Sequence, residues 1–168
     1  ASTDGRFRVL EFSDWTPMSL EPHTETVDVY SNCEWVELFL NGRSLGSKPK
    51  PADDSPRTWQ VDFEAGLIKA LGSNNGQPVA THEHRTAGEP AAVRLLTPRS
   101  KLSRDWNDVV RVEVQIVDEK GVLVPNVRHK VTFSISEPGI IAAVDNADVF
   151  SHESFQANFR SVYQGRSW

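Results

Sequence analysis

Thirteen residues constrain this chain more than any others: residues 36–48, VELFLNGRSLGSK. Val36, Leu38 and Leu40 alternate with Glu37 and Phe39. Period-two alternation marks a strand with one face on a core. Asn41-Gly42 follows, and then a second extended run through Leu45. A two-residue type I′ turn needs positive φ at both central positions, which Asn-Gly tolerates, so the stretch predicts a β-hairpin.

The pattern recurs on either side. Residues 7–12 read as a first strand, broken by Ser13-Asp14-Trp15-Thr16-Pro17. Val27 and Val29 alternate in the next strand, and Trp59, Val61 and Phe63 share a face in another. Residues 66–71 and 78–84 flank Ser73-Asn74-Asn75-Gly76, a second hairpin signal. Short strands at this spacing, with turn residues between them, predict a β-sandwich. Thr86-Ala87-Gly88-Glu89-Pro90 has Gly and Pro and no apolar period, so it reads as a linker. The expected domains are 1–87 and 88–168. Beyond the linker, residues 92–96 restart the pattern. Val110, Val112, Val114 and Ile116 form a clean alternation, and residues 122–124, 131–136, 140–144 and 155–163 carry the remaining apolar signals. Five or six strands are one or two short of the usual sandwich of this kind, so an open edge is expected at the end of the chain, filled by another molecule or by chain that was cut away. The predicted fold is all-β: two tandem immunoglobulin-like β-sandwiches, the second truncated before its last strand.

Charge narrows the partners. Residues 1–87 carry 13 acidic and 8 basic side chains, and residues 88–168 carry 10 of each. Neither part has a basic stripe, which argues against nucleic acid. No apolar run approaches the roughly 18 residues of a membrane helix. Cys33 is the single cysteine, so no internal disulfide can form.

Few residues look chemical. The acid pairs Asp53-Asp54, Glu34/Glu37 and Asp145/Asp148 fall in polar loops or on outward strand faces, where solvation is the simplest reading. A general acid needs a desolvated carboxyl with a raised pKa. His82 and His84 share a strand face, but no third ligand stands at a recognised spacing, and they read as surface histidines. Asp145, Asp148 and Glu153 have oxygens that calcium could use, without the spacing or glycine of a dedicated loop. Nucleophile and phosphate-loop motifs are missing. No metal, no cofactor and no catalytic residue is expected. Trp15, in a loop beside proline, is the one substrate-contact candidate, because an indole face stacks on the CH face of a pyranose; the plainer reading is an indole folded back over the edge of the sandwich. Trp106, in a polar loop, is a weaker one.

Several stretches together resemble the C-terminal region of bacterial glycoside hydrolase family 2 enzymes of the β-galactosidase type. They are VELFLNGRSLG at 36–46, WQVDFEAGLIKALG at 59–72, VATHEHRTAGEPAAVRL at 79–95, VRVEVQIVDEKGVLVPN at 110–126, VDN at 144–146, SHESF at 151–155 and YQGR at 163–166. The resemblance runs from about residue 25 to 166. It implies two immunoglobulin-like domains following a (β/α)8 barrel that carries the acid/base and nucleophile glutamates of a retaining glycosidase. No stretch here resembles that barrel, so those glutamates have no counterpart in this chain. The implied role is accessory: packing against the catalytic barrel of the same parent chain, in a periplasmic or secreted enzyme. Trp15 aligns loosely with an aromatic segment that family members carry next to the barrel. A glycan is a further possible partner, as is a second copy pairing through the open edge. The readings to separate from this one are a carbohydrate-binding module and an adhesin-type immunoglobulin repeat.

Overall fold

The computed structural model describes residues 13–103, 108–136 and 138–168. The strand expected at 7–12 and the loop tryptophan Trp106 lie outside them. Eleven strands and no helix are present among the described residues.

Six strands lie before residue 88: β1 (Thr24–Val29), β2 (Trp35–Leu40), β3 (Arg43–Pro49), β4 (Arg57–Asp62), β5 (Leu67–Asn74) and β6 (Gln77–Arg85). They form an antiparallel sheet in the order β3-β2-β5-β6 and a two-stranded layer of β1 and β4. Alternation decides which faces meet. Val36, Leu38 and Leu40 are 1%, 1% and 0% exposed, and Trp59, Val61 and Phe63 of the β4 segment are buried with them. Trp15, Cys33 and Ile68 complete this core, with Val27, Val29, Leu45 and Ala70 packed around it.

The β2–β3 turn is as predicted, with φ of 51° at Asn41 and 82° at Gly42. Its asparagine also holds the β4–β5 connection. The Asn41 amide donates to Glu64 Oε1 at 2.9 Å and to the Ala65 carbonyl at 3.1 Å. Its Oδ1 accepts from Leu67 N at 2.8 Å. Gly66 has to pass beneath this side chain, at φ 144°. A β-carbon on Gly66 would lie 1.9 Å from Asn41 Oδ1. Arg57, buried at the start of β4, needs no carboxylate. Its guanidinium donates to the carbonyls of Ser31, Cys33, Lys48 and Pro49 and so draws three strand ends together.

Five shorter strands follow: β7 (Ala92–Leu96), β8 (Glu113–Val117), β9 (Lys130–Thr132), β10 (Phe159–Ser161) and β11 (Arg166–Ser167). They form the sheets β11-β8-β7 and β10-β9, and none of them pairs with a strand of the first six. Several expectations change here. The alternating run begins its strand at Glu113, leaving Val110 and Val112 outside it. Both faces of β8 are covered, because Gln115 is buried under the Arg94 guanidinium, which donates to its Oε1 at 2.6 and 3.0 Å. Residues 122–124 supply one bridge, Leu123 to Val117, rather than a strand. In the expected buried run at 140–144 only Val144 is buried, while Ile140 is exposed.

Among the described residues the five strands here are fewer than the roughly seven of the usual sandwich, as expected, and the last residues of the chain are themselves paired. Gln164 and Gly165 have φ of 51° and 71°, making a tight turn in which Tyr163 and Arg166 exchange both backbone hydrogen bonds. This sets β11 beside Gln115 and Val114. Trp168 exchanges both backbone hydrogen bonds with Asp145, at 2.7 and 2.8 Å. Among the described residues β7 is paired only with β8, and its Val93 and Leu95 are exposed.

Gly66→Ala and Gly42→Ala separate crowding from backbone strain. Nothing lies within 4 Å of a β-carbon on Gly42, so only the positive φ is penalised there. The expected cost is about 1 kcal/mol for Gly42→Ala, and about 2–4 kcal/mol for Gly66→Ala, which must also displace Asn41. Urea unfolding midpoints of the two variants check the order.

Candidate functional site: the junction around Trp15

Trp15 does not stand open in a loop. It is 4% exposed, its ring lies 5.3 Å from that of Phe63, and its indole N–H donates to the Glu64 carbonyl at 3.1 Å. A ring buried to this degree has no open face for a pyranose. Trp15 joins the core of Val36, Leu38, Leu40, Trp59, Val61 and Phe63 from the end of the β4 segment. Asp14 Oδ1 accepts from Thr16 N at 2.7 Å and tightens the bend that turns Trp15 inward.

His82 and His84 share the face of β6 that lies opposite Ala70 and Ile68, as their spacing predicts. Their rings are 4.5 Å apart, and Ser13 Oγ approaches His84 Nε2 at 3.5 Å. Burial pushes the His84 pKa down, and the neighbouring His82 acts in the same direction, against the pull of Asp14. Among the described residues no group of three or more His, Cys, Asp or Glu side chains is placed to hold a metal ion.

Around the junction a polar frame gathers. Thr16 Oγ1 accepts from Ala87 N at 2.9 Å. Asn126 donates from Nδ2 to the carbonyls of Thr16 and Pro17, at 3.0 and 2.9 Å. Asp118, buried at the end of β8, accepts from Gly88 N at 2.9 Å through Oδ2, and from Lys120 N and Val122 N through Oδ1. These backbone donors, Gly88 first, hold its carboxyl below the usual carboxylate range.

The acid pairs accept hydrogen bonds: Asp53 from Ser55, Glu34 from Asn75 N, Glu37 from Ser44, Asp145 from Arg160 and Asp148 from Phe150 N. Asp53 is lowered by the hydroxyl and amide of Ser55. In β10 Arg160 is 1% exposed and donates back to the preceding loop, to the Glu153 carbonyl, Asp145 Oδ1 and Asn146 Oδ1. Glu153 accepts from the amide and hydroxyl of Ser161, and that amide is the main cause of its lowered pKa. Among the described residues every carboxylate displaced from the ordinary range is displaced downward. A general acid requires the opposite shift.

Parity leaves two aromatic side chains of β2 outside, Trp35 and Phe39, and Trp35 is the more exposed. In β2 it sits out of phase with Val36, on the outer sheet face with Glu37 and Phe39. Ser73, Leu71 and Lys69 of β5 lie opposite these three across the sheet. A shallow hollow of about 320 Å³ opens on that face, lined by Phe39, Gly42, Leu67, Lys69, Leu71 and Glu83. The signal for Trp35 was present in the same alternation that placed Val36 inside.

Two outcomes test this frame. Trp15→Phe should keep the packing and lose one hydrogen bond, at about 1 kcal/mol, whereas Trp15→Ala should cost about 3–5 kcal/mol in thermal or denaturant unfolding. The Asp118 carboxylate has a folded-state pKa below its unfolded value. Its contribution to stability is therefore full above about pH 4, the unfolded value, and is lost as pH falls through the lowered folded value. Urea midpoints from pH 7 to pH 2 should fall less steeply for Asp118→Asn than for the native chain.

Residues 93–168 match the family model "Glycoside hydrolase family 2 C-terminal domain 5", and residues 24–80 match a domain model of unknown function. The chain is 38% identical over 165 residues to β-galactosidase BoGH2A of Bacteroides ovatus, covering 92% of this chain and 19% of that protein. It is 34% identical over 120 residues to a β-glucuronidase of Formosa agariphila, covering 69% of this chain and 12% of that protein. The crystal structure of a glycosyl hydrolase family 2 member from Bacteroides cellulosilyticus superposes with a TM-score of 0.87 at 38% identity, over 93% of this chain and 20% of that one. The chain thus spans about a fifth or less of the relatives it matches. It belongs to glycoside hydrolase family 2, as a C-terminal, non-catalytic accessory part.

Proposed function

We propose that this chain serves a retaining, β-galactosidase-like glycosidase, whose catalytic glutamates lie on a barrel elsewhere in the same parent chain. The observation that carries the reading is the near-complete alignment of the chain with one fifth of a named β-galactosidase. In this reading the chain comprises two immunoglobulin-like domains with their boundary near Gly88. Their work is to pack against the barrel and hold it in place, in a periplasmic or secreted enzyme. Trp15 contributes by anchoring residues 13–17 rather than by touching sugar.

A second reading is glycan binding by the chain itself. The observation that favours it is the outer face of the β3-β2-β5-β6 sheet, where Trp35 is half exposed and Phe39 borders the hollow. An aromatic ring on an open sheet face can stack on a pyranose.

The two readings part in one set of measurements. The isolated chain should release no chromophore from nitrophenyl β-galactoside or nitrophenyl β-glucuronide. The full-length protein should cleave the galactoside and retain its anomeric configuration. Cleavage by the isolated chain, or inversion by the full-length protein, would overturn the first reading. Preferential cleavage of the glucuronide would overturn its galactoside assignment. Calorimetric titration of the isolated chain with galacto-oligosaccharides should give no heat of binding. Binding that is abolished by Trp35→Ala would establish the second.

A further inference from the structure

The linker expected at 86–90 has its backbone donors spread over three elements. Thr86 N donates to the Gly66 carbonyl at 2.9 Å, and Thr86 Oγ1 accepts in return from Gly66 N at 3.0 Å, so this residue belongs to the first group of strands. Ala87 N donates to Thr16 Oγ1, within residues 13–17. Gly88 N donates to Asp118 Oδ2, in the second group. Ala91 N then donates to the Val117 carbonyl at 2.9 Å and leads into β7. Three consecutive amides thus face three separate partners, and Ala87 is buried among them. Asn126 closes the ring from the second group by bonding the Thr16 and Pro17 carbonyls.

We infer that residues 13–17 act as a clasp that locks the two groups of strands into one rigid body, with Thr16 and Asn126 as its positioning residues. A segment with Gly and Pro and no apolar period is ordinarily a hinge. Here the hinge residues have no free donors at 86, 87 and 88. The clasp is fastened at both ends, because the Trp15 indole is seated in the first core and Asn126 holds the next two carbonyls from the second group. Moving one group relative to the other would break the Asn126 bonds or draw Trp15 from the core. A displacement of residues 13–17 is therefore passed to both groups together. This inference concerns the chain alone and stands whether or not the glycosidase reading above holds.

Amide hydrogen exchange of the 168-residue chain by NMR tests it, with Thr16→Val and Asn126→Ala as variants. The Ala87 and Gly88 amides should be protected in the native chain. Removing one acceptor, in Thr16→Val, should speed exchange at Ala87 by about tenfold. Coupling predicts that Asn126→Ala, which touches neither amide, also speeds Ala87, and that small-angle scattering of the double variant shows a broadened, longer distance distribution. Unprotected Ala87 and Gly88 amides in the native chain would sink the inference. So would a double variant whose scattering curve superposes on the native one. If Thr16→Val fails to fold, Thr16→Ser, which keeps an acceptor, should fold and preserve protection at Ala87. Loss of that protection in Thr16→Ser would count against the clasp.

Discussion

The first six strands depend on one side chain, Asn41. Its left-handed backbone closes the β2–β3 hairpin, while its amide group holds the β4–β5 connection through Glu64, Ala65 and Leu67. Those bonds bring β5 beside β2, and that pairing places Ile68 and Ala70 against Leu40 and Leu38. A turn residue thereby sets the register of a sheet. Register matters because a slip of one residue would send Val36, Leu38 and Leu40 to the solvent face.

The two parts of the chain solve the same burial problem unequally. The first has a core with two tryptophans and a phenylalanine, and a buried Arg57 that satisfies loose carbonyls at its margin. The second buries mostly valines, and it holds its loops with polar devices: Arg160 under Phe155, Glu153 on Ser161, and Asp118 on three amides. Its β7 face stays uncovered, and Val149 and Phe150 project from the hydrogen-bonded 145–161 loop at 88% and 83% exposure. Exposed apolar groups on braced backbone are the usual marks of a surface that meets other protein. That agrees with an accessory part of a larger protein.

The readings that failed did so for local reasons. The final hairpin went unseen because Gln164-Gly165 is a weaker turn signal than Asn-Gly, yet it adopts the same positive φ pair. Residues 110–112 alternate properly, but nothing pairs with them among the described residues, and an alternation without a partner is not a strand. For Trp15 the flanking Pro17 and polar neighbours fit both a ring open to ligand and a ring folded back over the sandwich edge, and the structure buries it. Composition cannot report that this indole meets the Phe63 ring and the Glu64 carbonyl.

Sequence alone determined the strands of the first part, the inward residues of β2 and β4, two hairpin turns, and membership of a glycoside hydrolase family 2 C-terminal region. Each of these follows from alternation, turn chemistry or an ordered series of motifs, all of which are local along the chain. Tertiary structure alone decided that the linker is pinned, that Trp15 is core and Trp35 is surface, and that the hairpin closed by Tyr163 and Arg166 sets β11 beside β8. Those outcomes turn on which distant groups meet, as Thr16 meets Ala87 across 71 positions and Asn126 meets Thr16 across 110. No window of neighbouring residues contains both partners of such a bond.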